Sequence, residues 1–235
     1  MNPYRRYGQG DLGHANRCSP TVRVTLVSED GGTRQERKER TRQAIVDAAL
    51  RASSESSLAA LSLRQVAREV GIVPTAFYRH FADLDELGLA LVDASFASLR
   101  TMLRAVRQGD PALTSVIGGS VKILVEHAHA HREHFRFIAR ERFSGPPVVR
   151  ETIRHELELF ERELATDLAR LPNAATWSAE DLQVMANLIV TTMVSTAEAV
   201  VSSPPGRADV ERRIVRTAEQ QLRMIVIGAA HWRSR

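Results

Sequence analysis

SLRQVAREVGIVPTAFYRHF, residues 62–81, holds two short helical segments separated by a glycine. Leu63, Val66, Ala67 and Val70 recur at i, i+3, i+4 and i+7, which gives a short helix a single apolar stripe. Ser62 stands where its hydroxyl caps that helix and Gly71 where a helix stops. Pro74 fits the first position of a second helix over residues 75–81, with Phe77 and Phe81 on one face and Thr75, Tyr78 and Arg79 pointing elsewhere. Two short helices joined by a glycine-containing turn make a helix-turn-helix, whose second helix is of a size to enter the major groove of DNA.

Working outward, charge sets this stretch apart from the remainder. Residues 34–81 carry nine Arg or Lys against five acids, a surplus equal to the whole chain's formal net charge of +4. A basic head on a nearly neutral body suits a phosphate-binding module attached to something with another task. Almost everything after residue 34 reads as helix. The expected spans are 36–54, with Ile45, Ala49 and Ala52 inward, then 63–70, 75–81, 84–107 with Asp83 as N-cap, and 111–131. These are followed by 133–142, a helix from about 147 to 171, 178–202 opened by Ser178 with Asp181 three residues on, and 208–230. Breaks come from Gly109-Asp110-Pro111, the 144–147 turn, Pro172-Asn173 and Ser203-Pro204-Pro205-Gly206. The expected fold is all-α, a three-helix DNA-binding domain at 34–83 and a six-helix ligand-binding and dimerisation domain at 84–235. Residues 1–33 are read as a disordered tail in which only VRVTLV, 22–27, resembles a strand.

The lone cysteine, Cys18, excludes an internal disulfide and fits a reducing cytoplasm. The first thirty residues lack the apolar core of a signal peptide. The least charged stretch, 182–197, is shorter than the ~20 apolar residues of a membrane span and is read as a helix buried in protein. No phosphate loop, nucleophile elbow or HExxH pattern is present, and Glu156 and Glu158 sit two apart on different helix faces, so no enzyme is expected.

Residues 62–81, with the helix before them and Asp85-Glu86 after them, strongly resemble the amino-terminal domain of TetR-family transcriptional repressors, FYRHF (77–81) being the family's most recognisable phrase. The body is similar as well. FRFIARERFSG (135–145) and QLRMIVIGAAHW (221–232), together with the head from Leu61 to Asp93, resemble the FabR/DesT-type regulators of unsaturated fatty-acid synthesis. The resemblance implies that Arg42, Ser62, Tyr78 and His80 contact phosphate. Pro74, Thr75 and Ala76 open the recognition helix, where Thr75 and Ala76 can meet bases, and Arg64 or Arg79 can pair with guanine. His80 has a competing role as a packed residue capping its helix. A single helix-turn-helix makes few contacts, so a homodimer on an inverted-repeat operator is expected, its recognition helices ~34 Å apart. The last two helices should supply the interface through Met185, Ile189, Met193, Leu222 and Ile225.

Gly118-Gly119 falls in mid-helix, at a cost of about 1 kcal/mol each relative to alanine. The missing side chains either leave room for a ligand beside Phe96, Leu99, Met102 and Leu103 or let two helices cross closely. The resemblance favours the first: a tunnel for an acyl chain that also involves Phe135 and Arg140, with coenzyme A or acyl carrier protein at its mouth. Arg136, Arg140 and Arg142 are then candidates for the phosphate end, and no cofactor is implied. Two other readings stand beside this one. One is a repressor of an efflux or catabolic operon with another apolar ligand. The other is a metal-responsive repressor, since His127, His131 and His134 are spaced to share one helical face.

Overall fold

The computed structural model describes residues 33–54, 56–107, 113–171, 174 and 177–233. The tail with Cys18 and the 22–27 run, the 109–111 break and Pro172-Asn173 lie outside them. The described residues are helical, in the order α1 (Arg34–Ser53), a short 3₁₀ turn (Leu58–Ala60), α2 (Leu63–Val70), α3 (Pro74–Phe77), α4 (Leu84–Arg107), α5 (Leu113–Ala130), α6 (Arg132–Ser144), α7 (Pro147–Leu168), α8 (Ala179–Ser202) and α9 (Ala208–His231).

Local chemistry explains the head. Thr33 and Glu36 form a capping box at the start of α1, each bonding the other's backbone N–H. Ser62 caps α2, and Gly71 ends it in the left-handed region at φ 77°, where a β-carbon would be strained. Pro74 opens α3 as expected, but α3 is shorter than its sequence suggests. After Phe77 the backbone tightens into i→i+3 bonds from Arg79 to Ala76 and from His80 to Phe77, so residues 78–80 form a turn. Phe77 and Phe81 remain buried, their ring centroids 5.8 Å apart. They pack into one core with Ile45, Ala49, Leu58, Val66 and Leu87.

Asp83 caps α4 through Glu86 N–H at 2.8 Å, and Glu86 accepts from Ala82 N–H in return. At 24 residues α4 is ~36 Å long by its rise per residue, enough to run from the head into the body. Leu87 and Leu91 near its start and Leu99 and Met102 further along belong to one continuous core. Gly88 sits where the two parts meet: a β-carbon there would come within 2.7 Å of both Leu58 and Val149. In the body, α8 packs against α5, α6, α7 and α9. Among the described residues α8 alone is long and apolar enough to cross a membrane. It sits among those four helices and carries Glu198, paired with Arg142 of α6.

Candidate functional site

The head presents one exposed polar surface. Ser62, Arg64, Pro74, Thr75, Tyr78 and Arg79 are exposed, while Arg42, Ala76 and His80 are half-buried. Tyr78 is 58% exposed, an aromatic side chain with a free hydroxyl end on the outer side of the turn after α3. Arg42 lies with its guanidinium carbon 4.4 Å from the centre of the Phe81 ring, so a cation–π contact holds it beside the recognition segment. Ser62 accepts weakly from Gln65 N–H at 3.4 Å. Burial first, then the positive charges of Lys38, Arg42 and Arg79, hold the His80 imidazole below its usual pKa, and its Nδ1 is buried without a hydrogen bond. Lys38, Arg42 and Arg79 outweigh Glu39 in their effect on His80, a positive field of the kind phosphate neutralises. Val73, 64% exposed at the N-cap of α3, shares this surface and escaped the sequence reading. Its position between the glycine stop and Pro74 was the available signal.

The body holds an apolar cavity of about 590 Å³ that is partly open to its surroundings. Leu99, Met102 and Leu103 of α4 and Phe135 of α6 are on its wall, with Trp177 also lining it. Other sequence candidates lie elsewhere. Phe96 is buried behind the wall, its ring 5.5 Å from that of Phe160. Gly118 and Gly119 do not line the cavity, because Ile117, Ser120 and Leu124 are the α5 residues turned to it. A β-carbon on Gly119 would meet nothing within 4 Å, and one on Gly118 only Glu219 at 3.9 Å, so neither glycine serves a tunnel or a close helix crossing.

Arg140 is also absent from the wall. Its guanidinium donates to the carbonyls of Ser53 at 2.9 Å and Ser54 at 3.3 Å, the C-terminal end of α1. A cation there meets carbonyls that have no helical partner and the negative end of the helix dipole. Next to it, Glu141 is fully buried, and its Oε1 accepts from Leu58 N–H at 3.0 Å. Oε2 has no partner, and burial pushes the carboxyl above its usual pKa against the opposing effects of Leu58 N–H and Arg140. One helix, α6, thus lines the cavity with Phe135 and Ile138 and grips the head with Arg140 and Glu141. The other two arginines are similarly engaged: Arg136 donates to Val201 O, and Arg142 pairs with Glu198.

The histidines of α5 and α6 make internal contacts. His127 bonds Ser98 at 2.9 Å and stacks on His131 with centroids 4.2 Å apart, and His134 bonds Ser95 at 3.1 Å. Burial, then His131, lowers the pKa of both His127 and His134, which disfavours their charged forms. Among the described residues no three His, Cys, Asp or Glu side chains gather as a metal site. Arg132 instead caps α8, donating to Val201 O and Ser203 O.

Four of the five sequence-derived interface residues, Met185, Ile189, Met193 and Leu222, line the cavity, and Leu222 is buried. Ile225 is half-buried. The same two helices expose Val184, Leu188, Met224 and Ile227 on their outer sides.

Residues 45–91 match the family model for bacterial regulatory proteins of the tetR family. The fold is shared with a transcriptional regulator from Rhodococcus sp. Rha1, 22% identical over 81% of this chain and 98% of that one, with a TM-score of 0.61. It is shared with SCO4454, a TetR-family transcriptional regulator from Streptomyces coelicolor, at 16% identity, 82% and 97% coverage and a TM-score of 0.63. A third solved structure is AibR in complex with isovaleryl coenzyme A and operator DNA, at 14% identity, 77% and 97% coverage and a TM-score of 0.61.

Proposed function

We propose, on the premise that the matched head and the shared fold make this chain a TetR-family transcriptional regulator, that it is a homodimeric repressor whose body takes the acyl chain of a long-chain acyl thioester. Regulators of this family are generally non-enzymatic DNA-binding proteins. The observation that carries the ligand class is the cavity: apolar walls and a volume within the ~300–1,000 Å³ of small-molecule sites. AibR, of the same fold, binds an acyl thioester. Control of unsaturated fatty-acid synthesis comes from the sequence resemblance to the FabR/DesT type. With Arg136, Arg140 and Arg142 engaged inside the protein, the coenzyme A or acyl carrier protein portion stays outside the cavity.

DNA contact falls to Arg42, Ser62, Arg64, Pro74, Thr75, Ala76, Tyr78, Arg79 and His80, on an inverted-repeat operator. The second copy docks on the outer faces of α8 and α9 through Val184, Leu188, Met224 and Ile227, apolar groups that water otherwise covers. The mechanism is a population shift. Chains of different shape favour different tilts of α4 and placements of α6, and so different separations of the two recognition helices. The effector changes operator affinity only by its differential affinity for the two arrangements.

The test is fluorescence anisotropy of the protein on DNA from its own upstream region and from fatty-acid desaturation promoters, with saturated and unsaturated acyl-CoA added at fixed salt. Opposite shifts in affinity with chain saturation support the reading; tight DNA binding indifferent to both acyl-CoAs removes the acyl ligand. A second reading, an operon regulator with a different apolar ligand, is favoured by one observation: the ionisable residues among the described cavity lining are Asp167 and Glu198, both acids.

A further inference from the structure

We propose that Glu198 is the specificity-determining group of the cavity, selecting elongated apolar effectors that carry a hydrogen-bond donor, a hydroxyl or an ammonium, at the end that meets it. The inference rests on the reading of the cavity as the effector site. Glu198 lines the cavity from α8, and Arg142 of α6 stands beside it with Nη2 2.8 Å from Oε1 and 2.9 Å from Oε2. The Oε2 contact is an aligned hydrogen bond. Oε1, close enough for an ion pair, receives no aligned donor and is buried, and Arg142 Nε is likewise buried without an acceptor. A carboxylate has about four lone-pair positions, so capacity to accept remains. Oε1 itself is closed to the cavity, so a ligand donor would meet Glu198 on the part of the carboxylate that lines it.

The surroundings exclude the opposite polarity. No Arg, Lys or His is among the described lining residues, and the second ionisable one is Asp167, which pairs with Arg170. An anionic ligand end would meet carboxylates at Glu198 or Asp167 with no cation among the described lining residues. Arg132 and Arg136 are bonded to Val201 O, and Arg140 to α1. Burial raises the Glu198 carboxyl above its usual pKa and Arg142 acts against that; an added donor would act in the same sense as Arg142. The polar end then sits against α6, the helix whose next turn holds α1 and Leu58.

Trp177 on the cavity wall is the reporter, with the exposed Trp232 replaced by Phe in every variant. 1-Decanol, decylamine and decanoate, of equal chain length, are titrated at pH near 7.5 and fixed salt. Decanol and decylamine are expected to bind at least ~10-fold more tightly than decanoate, ~1.4 kcal/mol. Glu198→Leu should abolish both preferences, whereas Glu198→Gln, which keeps an acceptor oxygen, should retain decanol and lose the decylamine advantage. If Glu198→Leu does not fold, as judged by its circular dichroism melt, the Gln variant decides alone. Equal binding of the three probes, or a preference that survives removal of the carboxylate, overturns the inference and leaves the cavity reading intact. Failure of every probe to quench or shift Trp177 overturns both.

Discussion

Replacing Arg140 by Ala separates the two jobs that its sequence position permits. The guanidinium donates to Ser53 O at 2.9 Å and Ser54 O at 3.3 Å, at the end of α1. Hydrogen bonds from a charged group contribute roughly 1.5–3 kcal/mol each. The second bond here is long and the side chain only half-buried, so about 2 kcal/mol for the pair is a reasonable expectation. For a chain of this size, ~2–4 °C per kcal/mol converts that into a fall of roughly 4–8 °C in Tm. Operator affinity should fall as well, by at most ~30-fold if the whole term goes into placing the head. Binding of an acyl probe, followed through Trp177, should be unchanged, because Arg140 is not on the cavity wall. Arg140→Lys should fall between, since an ammonium keeps the charge at the helix end but not the two-pronged donor. A variant with full thermal stability and intact operator binding that has lost its ligand would refute the reasoning and restore Arg140 to the effector's head group.

Four further outcomes are expected. Tyr78→Ala, at an exposed position, should weaken operator binding at least ~10-fold while leaving its salt dependence unchanged, because the hydroxyl is uncharged, and Tm within about 2 °C; a folded variant with unchanged DNA affinity would remove Tyr78 from the interface. Gly119→Ala should stabilise the protein by ~0.5–1 kcal/mol in urea unfolding, and Gly119→Leu should leave the effector response intact, because a side chain there enters open space. Leu188→Asp should convert the proposed dimer to a monomer in sedimentation experiments, and a dimer that persists would move the interface off the outer face of α8. Glu141 gives a pH signature: a carboxyl whose folded pKa is raised lends stability below that pKa and loses it as pH rises through it. Glu141→Gln should therefore gain on the parent in urea midpoint as pH goes from about 5 to about 8, whereas a pH-independent difference would mean that Glu141 does not titrate in that range.

The head was legible in the sequence because local rules build it. The Ser62 cap, the Gly71 stop, Pro74 at the first helical position and the buried Phe77 and Phe81 are each decided by residues a few positions away. Helix spans in the body followed for the same reason. Direction was another matter. Along α8 the apolar residues run nearly all round, so periodicity cannot say which face turns inward, and Met185, Ile189 and Met193 turn to the cavity while Val184 and Leu188 turn to solvent. Gly118-Gly119 read as a notch, yet what a missing side chain leaves room for depends on the neighbouring helix, and there the space is open. Arg140 looks in sequence like any other surface arginine; its partner Ser53 is 87 residues away, and a long flexible side chain can serve many acceptors. Local chemistry along the chain thus specifies the helices other than the end of α3, the caps at Ser62, Asp83 and Ser178, and the basic helix-turn-helix. Only the tertiary structure decided which helix faces line the cavity and which grip the head, because packing between distant segments selects one face from several that local chemistry makes equivalent.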